Sequence, residues 1–189
     1  SSDLPAVTAA TGMDALTLNI ESYLSPAYHP LCDGIALEGT RIAARALLKA
    51  VREPSDIRAR ADMMMSSMMG AIAFQKDLGA VHSCAHALGT VCDLHHGLAN
   101  ALMIEPVLRY NGETERAKFA ELAHALGAAS ADDVVPWIGR LKQQIGIAAG
   151  LQAVGVKRDQ FSRLVDVAVR DICHQTNPRP RAAADFQRS

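Results

Sequence analysis

The chain has 189 residues, 49% of them apolar and 21% charged, with a net charge of −1. That balance excludes a disordered chain, and without any Lys/Arg-rich run it leaves no electrostatic footprint for nucleic acid or an anionic membrane surface. The length suits one sizeable core, so residues 1–189 read as a single domain.

In chain order, Thr11 or Gly12 caps a first helix through Asp14, Leu16, Leu18, Ile20 and Leu24, ended by Ser25-Pro26. Pro30 opens a long second helix carrying Ile35, Leu37, Ile42, Ala46, Leu47 and Val51, closed by Glu53-Pro54. Ser55 caps a third, which contains Met63, Met64, Met65, Met68 and Met69. Those methionines read as adaptable core filling rather than a soft-metal or promiscuous binding groove. Further helices fall near 79–89, 97–109, 114–126, 132–145 and 159–173, punctuated by Gly89, Asn111-Gly112, Gly127, Gly146 and Gly150. Asn177 to Arg181 is a non-helical crossing, and a short helix begins at Asp185. Alternating β-branched and aromatic runs are missing. The sum is all-α: one helical bundle domain.

Cys32, Cys84, Cys92 and Cys173 form no CxxC pair and read as buried, reduced thiols of a cytoplasmic protein. No apolar run approaches the ~20 residues that cross a bilayer. The start, Ser1-Ser2-Asp3-Leu4-Pro5, is no signal peptide, and its lack of methionine points to a fragment or processed product.

Chemistry concentrates in one stretch. His82, His86, His95 and His96 fall within fifteen residues. His82 and His86 are four apart and share a helix face, while Gly89 ends that helix and a loop returns the chain to His96. Imidazoles from two elements then converge, which suits zinc or iron. HSCAH is not a zincin motif, because the general-base glutamate of HExxH is missing. Taken singly, such histidines satisfy helix ends and polar pockets; four together favour a site.

The run from His82 to Asn111, with HSCAHALG, HHGLANALMIEPVLRYN and fourteen residues from His82 to His96, resembles the iron-containing alcohol dehydrogenase family. TAATGMDALTLNIESYLSP upstream and HQTNPRPRAAADF downstream extend the resemblance over essentially the whole chain. It implies the helical, dehydroquinate synthase-like C-terminal domain of that family. By position it implies metal ligands at Asp14, His82 and His96, and a catalytic His86 facing substrate and nicotinamide. The family's fourth ligand, a histidine four residues after the aspartate, is replaced here by Leu18. A set of one carboxylate and two imidazoles resembles the three-ligand pattern of related glycerol dehydrogenases and dehydroquinate synthases. The loss implies weaker iron affinity and a shift towards zinc, a water-completed shell, or an empty site.

Substitutes for the missing ligand are few. Asn19 is turned ~100° from the required face, His29 and His95 are free imidazoles, and His86 lies over the site but has its own role. His124 and His174 read as structural or exposed. Asp93 reads as a solvated loop carboxylate, otherwise as a partner fixing an imidazole tautomer. Asp14 has a plainer explanation too: a carboxylate in a helix's first turn is favoured by the dipole alone.

The resemblance implies hydride transfer between a small alcohol or aldehyde and NAD(P), with the nucleotide held by an N-terminal domain. None of the thirteen glycines forms GxGxxG or GxxxxGK, so the expectation is that this domain is absent and the isolated chain inactive. Two alternatives stay open: a metal-independent half resembling the maleylacetate reductases, and a non-catalytic helical remnant or assembly module. The apolar composition is compatible with a homo-oligomer, and a missing partner domain would leave apolar surface exposed.

Overall fold

A computed structural model describes residues 4–186, all helices, turns and loops, with no strand among the described residues. Helix α1 (Leu4–Leu24) is the central rod, buried on most sides from Gly12 to Leu24 and packed against the second, third and fifth helices. Its sequence is apolar nearly all round, as a helix enclosed by others must be. Its buried polar side chains turn to backbone: Thr17 Oγ1 donates to Met13 O (2.8 Å), and Asn19 Nδ2 to Ala15 O (2.8 Å) and Ser66 O (2.9 Å). The expected cap at Thr11 or Gly12 is corrected: the helix already includes Leu4 and runs through both residues. Thr11 instead bonds back one turn to Val7 O (2.8 Å). At the far end, Lys118 Nζ donates to the carbonyls of Tyr23 (3.2 Å), Leu24 (3.0 Å) and Ser25 (3.0 Å), satisfying groups the helix leaves open.

Helix α2 (Pro30–Arg52) begins and ends where Pro30 and Glu53-Pro54 place it. Helix α3 (Ile57–Ala73) is capped by Asp56, not Ser55, because the Asp56 carboxylate reaches Ala59 N at 2.8 Å. The methionine expectation holds only for Met63. α3 buries only Ala59, Met63, Ser66, Gly70 and Ala73, a stripe at spacings of four and three that suits a close helix–helix seam. Met64 (75%), Met65 and Met68 lie outside it and form an exposed apolar strip with Ile72 and Phe74.

Helices α4 (Ala80–Cys92) and α5 (His96–Asn111) pair with each other, and α5 also lies on α1. Gly89 does not end α4; the helix runs on to Cys92 and stops where Asp93 turns left-handed (φ 54). Helices α6 (Arg116–Leu126) and α7 (Val134–Gln144) follow the expected segments, slightly trimmed. Helix α8 (Phe161–Arg170) is shorter than expected, breaking at extended Asp171, whose carboxylate caps a 3-10 turn over 172–176. After the 177–182 crossing comes α9 (Ala183–Phe186); the rest of the expected terminal helix lies outside the described residues. A buried cluster running from Ala9 to Phe186 forms the core. Cys32 and Cys84 are buried, Cys92 and Cys173 half-buried, and all are free thiols. Among the described residues, no helix is long and apolar enough to cross a membrane.

Candidate metal centre

Two close backbone approaches build the site. A Cβ on Gly97, in the first turn of α5, would lie 2.4 Å from Ala10 O, so only glycine lets α5 start against α1. That contact sets His96 beside Asp14, with Nε2 3.4 Å from Oδ1. A Cβ on Gly79, the residue before α4, would lie 2.5 Å from Glu21 Oε1. The start of α4 therefore rests on the Glu21 carboxylate, which accepts from Val81 N (2.8 Å) and His82 N (3.2 Å) and meets His82 Nδ1 at 2.7 Å. With Nδ1–H directed at Glu21, the lone pair on His82 Nε2 points inward, 3.9 Å from Asp14 Oδ1. The side chains of His82 and Glu21 are 3% and 2% exposed, so this support is rigid and dry. A tail segment locks it: Asn177 Oδ1 accepts from Ala80 N (3.2 Å), and Asn177 and Asn111 exchange amide hydrogen bonds (2.8 and 3.1 Å).

The structure thus brings Asp14, His82 and His96 together, each offering one ligand atom within 4.8 Å of the others. The dipole explanation of Asp14 fails, because the residue lies well inside α1 rather than in its first turn. Burial pushes the Asp14 carboxyl up, but the hydrogen bond and charge of His96 and the hydrogen bond from the Asn100 amide outweigh it and hold the group below its ordinary value. The Asp14 hydrogen bond raises His96 in turn, against partial burial. Asn100, one helical turn after His96, places Nδ2 2.6 Å from Asp14 Oδ1, 3.0 Å from His96 Nε2 and 3.3 Å from His82 Nε2.

His86 stands over this triad. Its ring centroid is 5.4 Å from that of His96, in a stacked orientation, and 6.0 Å from that of His82. Asp171 Oδ2 lies 2.7 Å from its Nδ1, and Asp171 Oδ1 accepts from Ser83 Oγ (3.0 Å) and Cys173 N (2.9 Å). Burial raises the Asp171 carboxyl, yet the Cys173 backbone N–H and the His86 contact leave it lowered overall. An ionised Asp171 accepts from Nδ1–H and frees Nε2 of His86 as a base. His86, Asp171 and Cys173 also have metal-ligand spacing. Burial and the Asp171 hydrogen bond push the Cys173 thiol up to about 12, so without a cation beside it the thiol stays protonated.

The remaining candidates are elsewhere. His29 caps α2, with Nδ1 accepting from Cys32 N (3.4 Å). His95 and His124 are exposed, Asp93 is the exposed end of α4, and His174 Nε2 bonds Val169 O (2.7 Å). Asn19 is committed to Ser66, as its helical angle implies. Sequence reasoning missed Glu21, Asn100 and Asp171. Glu21 is seven residues after Asp14 and Asn100 four after His96, both same-face spacings that carry a signal. Asp171 carries none, since 85 residues separate it from His86.

The donor set fits a divalent cation: one carboxylate held ionised, two imidazole Nε2 atoms facing it, and beside them the buried amide of Asn100, whose Oδ1 has no hydrogen-bond partner.

Residues 8–188 match the profile of the Fe-containing alcohol dehydrogenase family, C-terminal. The chain is 40% identical over 195 residues to the 4-hydroxybutyrate dehydrogenase of Cupriavidus necator, covering 98% of this chain and 51% of the relative. It is 38% identical over 183 residues to the 1,3-propanediol dehydrogenase of Klebsiella pneumoniae, covering 92% and 47%. Among solved structures, a 1,3-propanediol oxidoreductase superposes with a TM-score of 0.95 at 36% identity, over 97% of this chain and 50% of that one. The alcohol dehydrogenase from Oenococcus oeni gives 0.92 at 30% identity, over 97% and 50%. The chain spans about half the length of the curated relatives it matches. It belongs to the Fe-containing alcohol dehydrogenase family and corresponds to that family's C-terminal helical region.

Proposed function

We propose that this chain is the metal- and substrate-binding half of an NAD(P)-dependent alcohol dehydrogenase or aldehyde reductase of the cytoplasm. The observation that carries it is the convergence of Asp14 Oδ1, His82 Nε2 and His96 Nε2, with His82 braced from behind by buried Glu21. Asp14, His82 and His96 would hold a divalent cation, zinc more readily than iron because Leu18 removes one imidazole. Bound there, the cation supplies Lewis-acid polarisation of an alcohol or aldehyde oxygen. Glu21 fixes the His82 tautomer and ring orientation; His96, 46% exposed, forms the outer wall where substrate enters. His86, with Nδ1 tied to Asp171, keeps Nε2 for a proton passing between substrate and solvent. The nucleotide belongs to the nucleotide-binding half of the relatives' length, so the 189-residue chain alone does not turn over an alcohol.

Leu18 favours a second reading, a metal-independent half similar to the maleylacetate reductases, in which the same polar cluster binds substrate directly. Elemental analysis separates the two. Near-stoichiometric zinc or iron in the purified chain, lost in His82→Ala, supports the metal-dependent reading. A metal-free wild type that remains so after zinc dialysis contradicts it. NAD(P)H-linked alcohol oxidation by the isolated chain would overturn the assignment of the nucleotide to another half.

A further inference from the structure

We propose that Asn100 is the fourth ligand-bearing side chain of this centre, its carboxamide oxygen filling the corner that Leu18 leaves as hydrocarbon. This rests on the metal-dependent reading above. Asn100 is fully buried and shares a face of α5 with His96, so the same helix positions both. Its inward amide atom lies 2.6, 3.0 and 3.3 Å from Asp14 Oδ1, His96 Nε2 and His82 Nε2, and Asp14 Oδ1 is 3.4 and 3.9 Å from the two imidazole nitrogens. Four donors at ~2.1 Å from one zinc ion stand roughly 3.4 Å from one another in a tetrahedron. The amide atom therefore lies on the side of the triad that a fourth donor would take, at hydrogen-bond distance from all three and somewhat nearer than donors on one ion stand.

Nitrogen in that corner cannot ligate, since an amide nitrogen has no available lone pair, and it donates to Asp14 Oδ1. The oxygen, meanwhile, is buried without a partner. A half turn about Cβ–Cγ exchanges two atoms of nearly equal size and puts the oxygen in the corner. The turn transfers the unpartnered position to the NH2 group, a cost offset only when the oxygen gains a cation. The corner is thus a hydrogen-bond donor that draws the three ligands together, and a ligand once a cation is among them. Two imidazoles, a carboxylate and an amide oxygen suit zinc or iron(II) and disfavour copper(I).

The test uses the 189-residue chain, with Zn2+ affinity measured by competition against a chromophoric chelator and Co2+ coordination read from visible absorption. Asn100→Ala and Asn100→Leu are expected to weaken Zn2+ binding about 10–100-fold and to lower and shift the Co2+ bands. Asn100→Asp, which keeps an oxygen in the corner, binds at least as tightly as wild type. Leu18→His combined with Asn100→Ala recovers the affinity and the Co2+ band intensity. In the wild type, where no variant need fold, Zn2+ shifts the Asn100 carboxamide carbon and nitrogen resonances. Wild-type affinity and an unchanged Co2+ spectrum in Asn100→Leu, while His82→Ala abolishes binding, would overturn this proposal alone. A wild type that binds no Zn2+ would overturn it together with the reading it rests on.

Discussion

Two histidine–carboxylate pairs of this domain, His82–Glu21 and His86–Asp171, share one contact distance, 2.7 Å, and differ in almost everything else. His82–Glu21 is sealed between α1 and α4, and its carboxylate also carries two backbone N–H groups of the helix that bears the histidine. His86–Asp171 lies near the surface, with side chains 39% and 18% exposed, and its carboxylate sits on an extended residue between α8 and a 3-10 turn. The same chemistry therefore serves two purposes. A sealed pair fixes a ligand in one tautomer and one orientation; an open pair tunes an imidazole that must exchange protons. Glu21 is part of the fold, whereas in the proposed function Asp171 serves the proton transfer.

The contrast predicts unequal costs. Glu21→Ala leaves two buried N–H groups and one imidazole without their acceptor, and is expected to cost about 3 kcal/mol in urea unfolding. Asp171→Ala, at a partly solvated pair, is expected to cost about 1 kcal/mol. Equal losses would break the distinction. Leu18→His, one turn beyond Asp14, is expected to raise Zn2+ affinity on the order of tenfold with little change in unfolding midpoint.

The pH dependence of stability sharpens the outer pair. The folded Asp171 carboxyl is held below its ordinary value of 3.8, so its contribution is complete above that value and is lost as pH falls through the lower folded one. Urea midpoints measured between roughly pH 2 and pH 5 are expected to fall less steeply with acid in Asp171→Asn than in wild type. The smallest effect serves as a control far from both pairs. Lys118→Met removes the cation that closes the end of α1 and is expected to cost about 1 kcal/mol, leaving Zn2+ affinity unchanged.

Much of this architecture is legible in the sequence, for reasons visible residue by residue. Pro30, Glu53-Pro54 and Gly127 act locally, so α2 begins and ends, and α6 ends, where those residues place them, whereas α4 runs through Gly89. His82, His86 and His96 are legible because helical spacing converts directly into a shared face. The misreadings arise where a local signal competes with a tertiary one. Thr11 has the chemistry of a cap, yet its hydroxyl is satisfied within the helix, and α1 extends to Leu4. The α3 methionines look like core because they are apolar, but the buried stripe needs small side chains to bring α3 close, leaving most of the methionines outside. Asp171 was hidden because nothing local links it to a histidine on another helix.

The central claim is the ligand set, and zinc K-edge X-ray absorption of the zinc-loaded chain tests it most directly. The account predicts a shell of nitrogen and oxygen at ~2.0–2.2 Å, with the multiple-scattering signature of two imidazoles, reduced to one in His96→Ala. A shell of oxygens without imidazole scattering, or one unaltered in His96→Ala, would contradict it.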